Sequence, residues 1–137
     1  LPIKRLADLV PTPEPAKAEI FHFVRLGGRV PSEKFFTDCE KQLRKRFYGS
    51  FGMLARLGGD YCGQTRFKPL REPGKPLWEF KEHDHRLYCV REFTSGVVRI
   101  VLLNGWVKDK TKGQQENNEI TTAQNLYREY LAEGKST

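Results

Sequence analysis

Val97-Val98-Arg99-Ile100-Val101-Leu102-Leu103-Asn104-Gly105-Trp106-Val107-Lys108 is the stretch whose reading decides the fold. Val97 to Asn104 is the most apolar segment of the chain, is rich in β-branched residues and has the length of a strand, so it is expected at the centre of a sheet. Just upstream, Arg86 to Phe93 reads as a second strand, and Thr94-Ser95-Gly96 between them is most simply the turn of an antiparallel hairpin. Leu77 to Lys81 supplies a third strand. Successive strand residues point to opposite faces, so Arg86, Tyr88, Val90 and Glu92 share one face while Leu87, Cys89, Arg91 and Phe93 share the other. Leu87, Cys89 and Phe93 make the better core, which leaves Arg86 and Tyr88 on a functional face. With Trp78 and Phe80 inward, Glu79 and Lys81 join them.

Upstream of this sheet, Ala18 to Arg25 alternates aromatic and β-branched residues and reads as a strand, ended by Gly27-Gly28. His22 in it is expected to be buried and hydrogen-bonded. Pro31-Ser32-Glu33 announces a helix that Ser32 can cap. Phe35, Phe36, Cys39, Leu43 and Phe47 form its apolar side, with Cys39 as core packing. A shorter helix is expected over Phe51 to Leu57, stopped by Gly58-Gly59. Residues 1–17, with Pro2, Pro11, Pro13 and Pro15, are expected to be an N-terminal extension, with a helical turn within Lys4 to Val10. Downstream, Lys108 to Gln115 reads as a loop. A last helix is expected from about Asn118 to Glu133, with Ile120, Ala123, Leu126, Tyr127, Tyr130 and Leu131 as its packing stripe. The expected fold class is therefore α+β: an N-terminal strand, a helical hairpin, a three-stranded antiparallel sheet portion and a C-terminal helix in one domain over residues 18–137.

The chain of 137 residues is 38% hydrophobic and 12% aromatic, enough for one cored domain. Its net charge of +7 favours a polyanionic partner. The excess has no terminal tail, so a binding face has to be assembled by folding. No apolar run is long enough to cross a membrane, and Leu1-Pro2-Ile3-Lys4-Arg5 is not expected to begin a signal peptide, because no long apolar stretch follows. Cys39, Cys62 and Cys89 lack C-x-x-C spacing, which points to a reducing cytoplasmic setting without a disulfide framework or zinc site. No P-loop, G-x-S-x-G, H-E-x-x-H or G-x-G-x-x-G signature is present.

Lys68-Pro69-Leu70, Leu77-Trp78-Glu79-Phe80-Lys81 and Ile100-Val101-Leu102-Leu103-Asn104-Gly105-Trp106-Val107-Lys108, with Gly28-Arg29-Val30-Pro31-Ser32-Glu33-Lys34-Phe35 at the front, resemble the phage-derived HigB-like branch of the RelE/HigB toxin superfamily. The resemblance covers roughly residues 18–132. It implies a RelE-like fold and a type II toxin–antitoxin role: a metal-independent endoribonuclease with no cofactor, cutting mRNA on the ribosome and paired with a HigA-like helix-turn-helix antitoxin. Such chemistry needs a cationic cluster, and strand alternation centres it on Lys81, Arg86 and Tyr88, with Glu79 nearby. His83 and His85 are candidate proton-transfer groups, and Arg91 is a further catalytic candidate. Lys68, Arg71, Lys108, Lys110 and Lys112 are candidate RNA contacts. The chain departs from the family pattern at Cys89, where many relatives have Arg, and at Asn104, where they have His. A ParE-like gyrase inhibitor without ribonuclease chemistry, and a phage-derived interaction protein that has lost activity, are the alternatives that share this fold.

Overall fold

A computed structural model describes residues 2–6, 16–58, 66–72, 76–109 and 113–135. Among them are three helices and a six-stranded mixed sheet. In chain order the elements are β1 (Ile3–Arg5), β2 (Ala18–Phe23), α1 (Pro31–Asp38), α2 (Lys41–Leu57), β3 (Phe67–Pro69), β4 (Trp78–Glu82), β5 (His85–Thr94), β6 (Val97–Val107) and α3 (Gln115–Lys135). The sheet order is β1-β2-β6-β5-β4-β3. Only the β2–β6 pairing is parallel; the other four are antiparallel.

β6 lies inside the sheet, as its apolar run predicts. The antiparallel β4-β5-β6 portion extends on both sides into a wider sheet than the sequence suggested. β3 was not expected. β1 falls inside the segment taken for an extension: Ile3 and Arg5 pair with Phe23 and Phe21, and Leu6 is buried in the core. The strand conformation of Lys4 and Arg5 and the non-helical Leu6 also replace the start of the expected helical turn, whose residues 7–10 lie outside the described residues.

α1 and α2 cover one sheet face. Pro31 fits the first helical turn, where no backbone N–H is needed. The helical hairpin turns earlier than its periodicity suggested. α1 stops at Asp38, Cys39 is extended (φ −75°, ψ 145°), and α2 then runs without interruption through Gly49 and Gly52 to Leu57. The early break lets both helices lie on the sheet, where the Phe36 ring meets Phe47 at 5.8 Å and Phe51 at 6.0 Å. Helix-interior glycine costs about 1 kcal/mol each, which burial of Phe47, Phe51 and Leu54 offsets. Ser32 does not cap α1. It is buried, with its Oγ 2.6 Å from Nδ1 of the buried His22.

α3 packs on the other face through Ala123, Leu126 and Tyr130, while Leu131 is 39% exposed rather than part of the stripe. A β-bulge sets which β6 residues reach it. Leu87 is opposite Gly105 and Cys89 is opposite Leu102, so Tyr88 faces both Leu103 and Asn104. The extra residue reverses the alternation. Leu103 and Trp106 both join the α3-side core, and Gly105 turns to the helical hairpin, where an added Cβ would lie 2.5 Å from the Phe35 ring. Leu87 and Cys89 are core, as expected, but Phe93 is 76% exposed, because it lies near the tip of the β5–β6 hairpin. No described helix is long and apolar enough to cross a membrane.

Candidate functional site

Two neighbouring cross-strand rows build the site on the α3 side of the sheet. In the first, Lys68 of β3 lies opposite Glu79 of β4, which lies opposite Tyr88 of β5. In the second, Lys81 of β4 lies opposite Arg86 of β5, which lies opposite Trp106 of β6. Directly paired residues have Cβ atoms only about 5 Å apart, so antiparallel pairing alone concentrates these groups. They line a cleft of about 540 Å³, completed by Pro69, Leu70 and Arg71 at the end of β3, by Lys108 after β6 and by Glu116 and Ile120 on α3. Five cations face two carboxylates there.

Hydrogen bonds and an ion pair tie the floor of the cleft together. Arg86 Nη1 donates to the carbonyls of His83 (2.6 Å) and His85 (3.0 Å), and Nε lies 3.5 Å from Glu79 Oε1. Trp106 Nε1–H donates to the Tyr88 hydroxyl oxygen at 3.0 Å, leaving the phenolic proton available for another acceptor. Lys108 Nζ lies 3.4 Å from Glu116 Oε2 at the rim.

Burial and mutual charge shift the protonation of these groups. Burial raises the Glu79 carboxyl above its ordinary pKa, and Lys68, Arg86 and Lys81 oppose that rise. Burial, together with Lys68 and Arg86, lowers the Lys81 ammonium. Burial raises Tyr88 and so holds it as a phenol, with the hydrogen bond from Trp106 acting the other way. A carboxylate made more basic, an ammonium made more acidic and a phenol kept protonated provide proton-transfer groups beside a cationic surface.

Lys81, Arg86 and Tyr88 are thus brought together with Glu79 on the face that strand alternation gives them, and Lys68, Arg71 and Lys108 join them from β3, its end and the end of β6. Three candidates fall elsewhere. The His83 and His85 side chains line a separate hollow beside the α1–α2 break, with Asp38, Glu40 and Arg46. They sit in and next to the β4–β5 turn, on its helical-hairpin side, so only their carbonyls reach the Arg86 side chain. Arg91 lies on the opposite sheet face, as its parity dictates, with its guanidinium 4.3 Å over the Trp78 ring and 5.5 Å from Phe93. Trp78 is therefore a cation–π partner and packs beside Phe67. Lys110 and Lys112 lie outside the described residues.

Cys89 and Asn104, where the chain differs from the toxin pattern its sequence resembles, also have places. Cys89 is fully buried beneath the helical hairpin, so a side chain at that position does not face the cleft. Asn104 Nδ2 lies 3.3 Å from both the carbonyl and a carboxylate oxygen of Glu119, fastening α3 to the sheet. Glu116 and Ile120 were missed as site residues. Glu116 precedes the expected helix start; Ile120 was read as packing, because strand parity says nothing about which helix turn closes a cleft.

No protein-family model and no curated protein sequence matches this chain.

Proposed function

We propose that this chain is the toxin of a type II toxin–antitoxin pair, a RelE/HigB-like endoribonuclease that cuts mRNA on the ribosome. The observation supporting the reading is the single cleft that collects Lys68, Lys81, Arg86 and Lys108 around Glu79 and Tyr88. A phosphodiester backbone is the polyanion such a surface suits. In this reading the RNA 2′-hydroxyl attacks the adjacent phosphorus, forming the 2′-O–P bond as the P–O5′ bond breaks. Glu79 accepts the 2′-hydroxyl proton, Lys81 and Arg86 balance the extra charge on the phosphorane, and Tyr88 gives its proton to the departing 5′-oxygen. The products are a 2′,3′-cyclic phosphate and a 5′-hydroxyl end. No metal enters the scheme. A HigA-like helix-turn-helix protein is the proposed antitoxin, and the cytoplasm the proposed site of action.

Induced expression in bacteria with mapping of mRNA 5′ ends tests the reading. New 5′-hydroxyl ends and growth arrest are expected, and Lys81→Ala and Arg86→Ala each reduce cleavage by roughly 100-fold or more. Growth arrest with intact messages and a DNA-damage response would instead place the chain with gyrase inhibitors.

A further inference from the structure

We infer that His83 is a positioning residue for Arg86, acting through the shape of the β4–β5 turn rather than through its imidazole; this rests on the cleft being the RNA-cleaving site. His83 has φ +54°, a left-handed conformation that few residues other than glycine adopt readily. In that conformation its carbonyl accepts from Arg86 Nη1 at 2.6 Å, and the next carbonyl but one, that of His85, accepts from the same nitrogen at 3.0 Å. The intervening Asp84 carbonyl accepts from the Lys108 backbone N–H at 2.6 Å. One turn therefore holds two of the cleft's cationic residues, Arg86 by its side chain and Lys108 by its main chain. The carbonyl contacts engage Nη1, Glu79 lies near Nε, and none of these contacts engages Nη2.

The same residue is tied to the helical layer on its other side. Arg46 of α2 has Nη1 2.8 Å from His83 Nε2. A guanidinium has only donors, so the imidazole accepts at Nε2 and that nitrogen carries no proton. A ring spent on Arg46, and lining the hollow away from the cleft, has a structural anchor in place of a proton-transfer role. Position 83 therefore needs a side chain that tolerates the left-handed region and a link to α2, and its effect on chemistry passes through Arg86.

The test compares variants in RNA cleavage at saturating substrate. Asn tolerates the left-handed region, whereas β-branched Val resists it. His83→Asn is expected to stay within about threefold of the parent, and His83→Val to lose roughly tenfold in kcat by misplacing Arg86. Combined with Arg86→Ala, His83→Val adds far less than its tenfold loss alone, at most the smaller share that passes through Lys108, because its main effect acts on Arg86. Arg46→Ala, an exposed helix substitution that leaves the fold intact, gives a smaller loss that likewise shrinks beside Arg86→Ala. An equal loss in His83→Asn and His83→Val overturns the inference in favour of the imidazole, and additive losses overturn it in favour of general destabilisation. The Arg86 guanidinium N–H signals in NMR provide a readout independent of catalysis. They are expected to be slow to exchange in the parent and fast in His83→Val; unchanged protection overturns the inference. If the parent protein cuts no RNA, the cleavage reading falls, and the NMR comparison alone decides the positioning role.

Discussion

Beneath the helical hairpin, the sheet face formed by Ile20, Phe80, Leu87, Cys89 and Ile100 is dry and aromatic, whereas on the α3 side the alternate positions Glu79, Lys81, Arg86 and Tyr88 line a charged cleft. Both faces come from the same strands, so the difference lies in what covers them. Six strands span about 24 Å, and one helix is only about 10 Å across. The helical hairpin reaches across, with α1 on β2 and β6 and α2 on β2 and β4. α3 lies chiefly on β5 and β6. Among the described residues it therefore leaves the outer strands β3 and β4 open on its side, where Lys68 and Lys81 stand. A single helix on a wide sheet makes a half-covered face, and the uncovered half is where polar groups remain reachable.

The contrast can be broken most severely on the dry side. Phe51 is fully buried, with ring contacts to Phe36 and to Phe80 at 4.9 Å. Phe51→Ala is expected to cost about 3–5 kcal/mol in denaturant unfolding. A loss below about 1 kcal/mol would mean that the hairpin is not tightly packed.

Acid attacks the same side next. Burial holds the His22 pKa down at about 4, against an ordinary 6.5. Between these values the unfolded chain binds a proton that the folded one refuses. The neutral form's advantage is thus complete above about pH 6.5, shrinks as pH falls through that window, and levels off below about 4. The loss is up to about 3 kcal/mol. The difference in unfolding free energy between parent and His22→Gln, followed from pH 7.5 to 4, should show this slope; parallel curves would assign it to other groups.

Gly105 joins the two sides. Gly105→Ala pushes a methyl group into the Phe35 ring and should destabilise by about 1–3 kcal/mol. Phe35→Leu should recover part of that loss in the double variant. A neutral Gly105→Ala would show that α1 is free to shift outward.

The cleft should respond least. Lys81→Met removes a cation crowded by Lys68 and Arg86. Its stability is expected to stay within about 0.5 kcal/mol of the parent. A loss above about 1 kcal/mol would make Lys81 a structural residue and weaken its assignment to function.

Much of this was legible in the residues. The face shared by Glu79, Lys81, Arg86 and Tyr88 follows from parity and from the apolar weight of Leu87, Cys89 and Phe80. Parity also separates Arg91 from the cleft; only the resemblance makes it a candidate, as a stand-in for the Arg that relatives carry at the place of Cys89. The histidines misled for a different reason: residue type suggested proton transfer, while the turn that carries them sends the rings one way and the carbonyls the other. The helix break at Cys39 and the bulge in β6 opposite Tyr88 leave no clear local mark, since both depend on packing partners distant in sequence.

Sequence by itself determined the longer strands β2, β4, β5 and β6, their order among the helices, and the polar, largely cationic character of one sheet face, because strand alternation and helical periodicity are local. Tertiary structure decided the rest. β1 and β3 are three-residue strands that exist only because a longer partner pairs with them. The cleft's far wall, Glu116 and Ile120, comes from a helix whose placement depends on the bulge in β6 and on Asn104 meeting Glu119. Such features are set by long-range pairing and by which surfaces remain uncovered once a single helix has docked on the wide sheet.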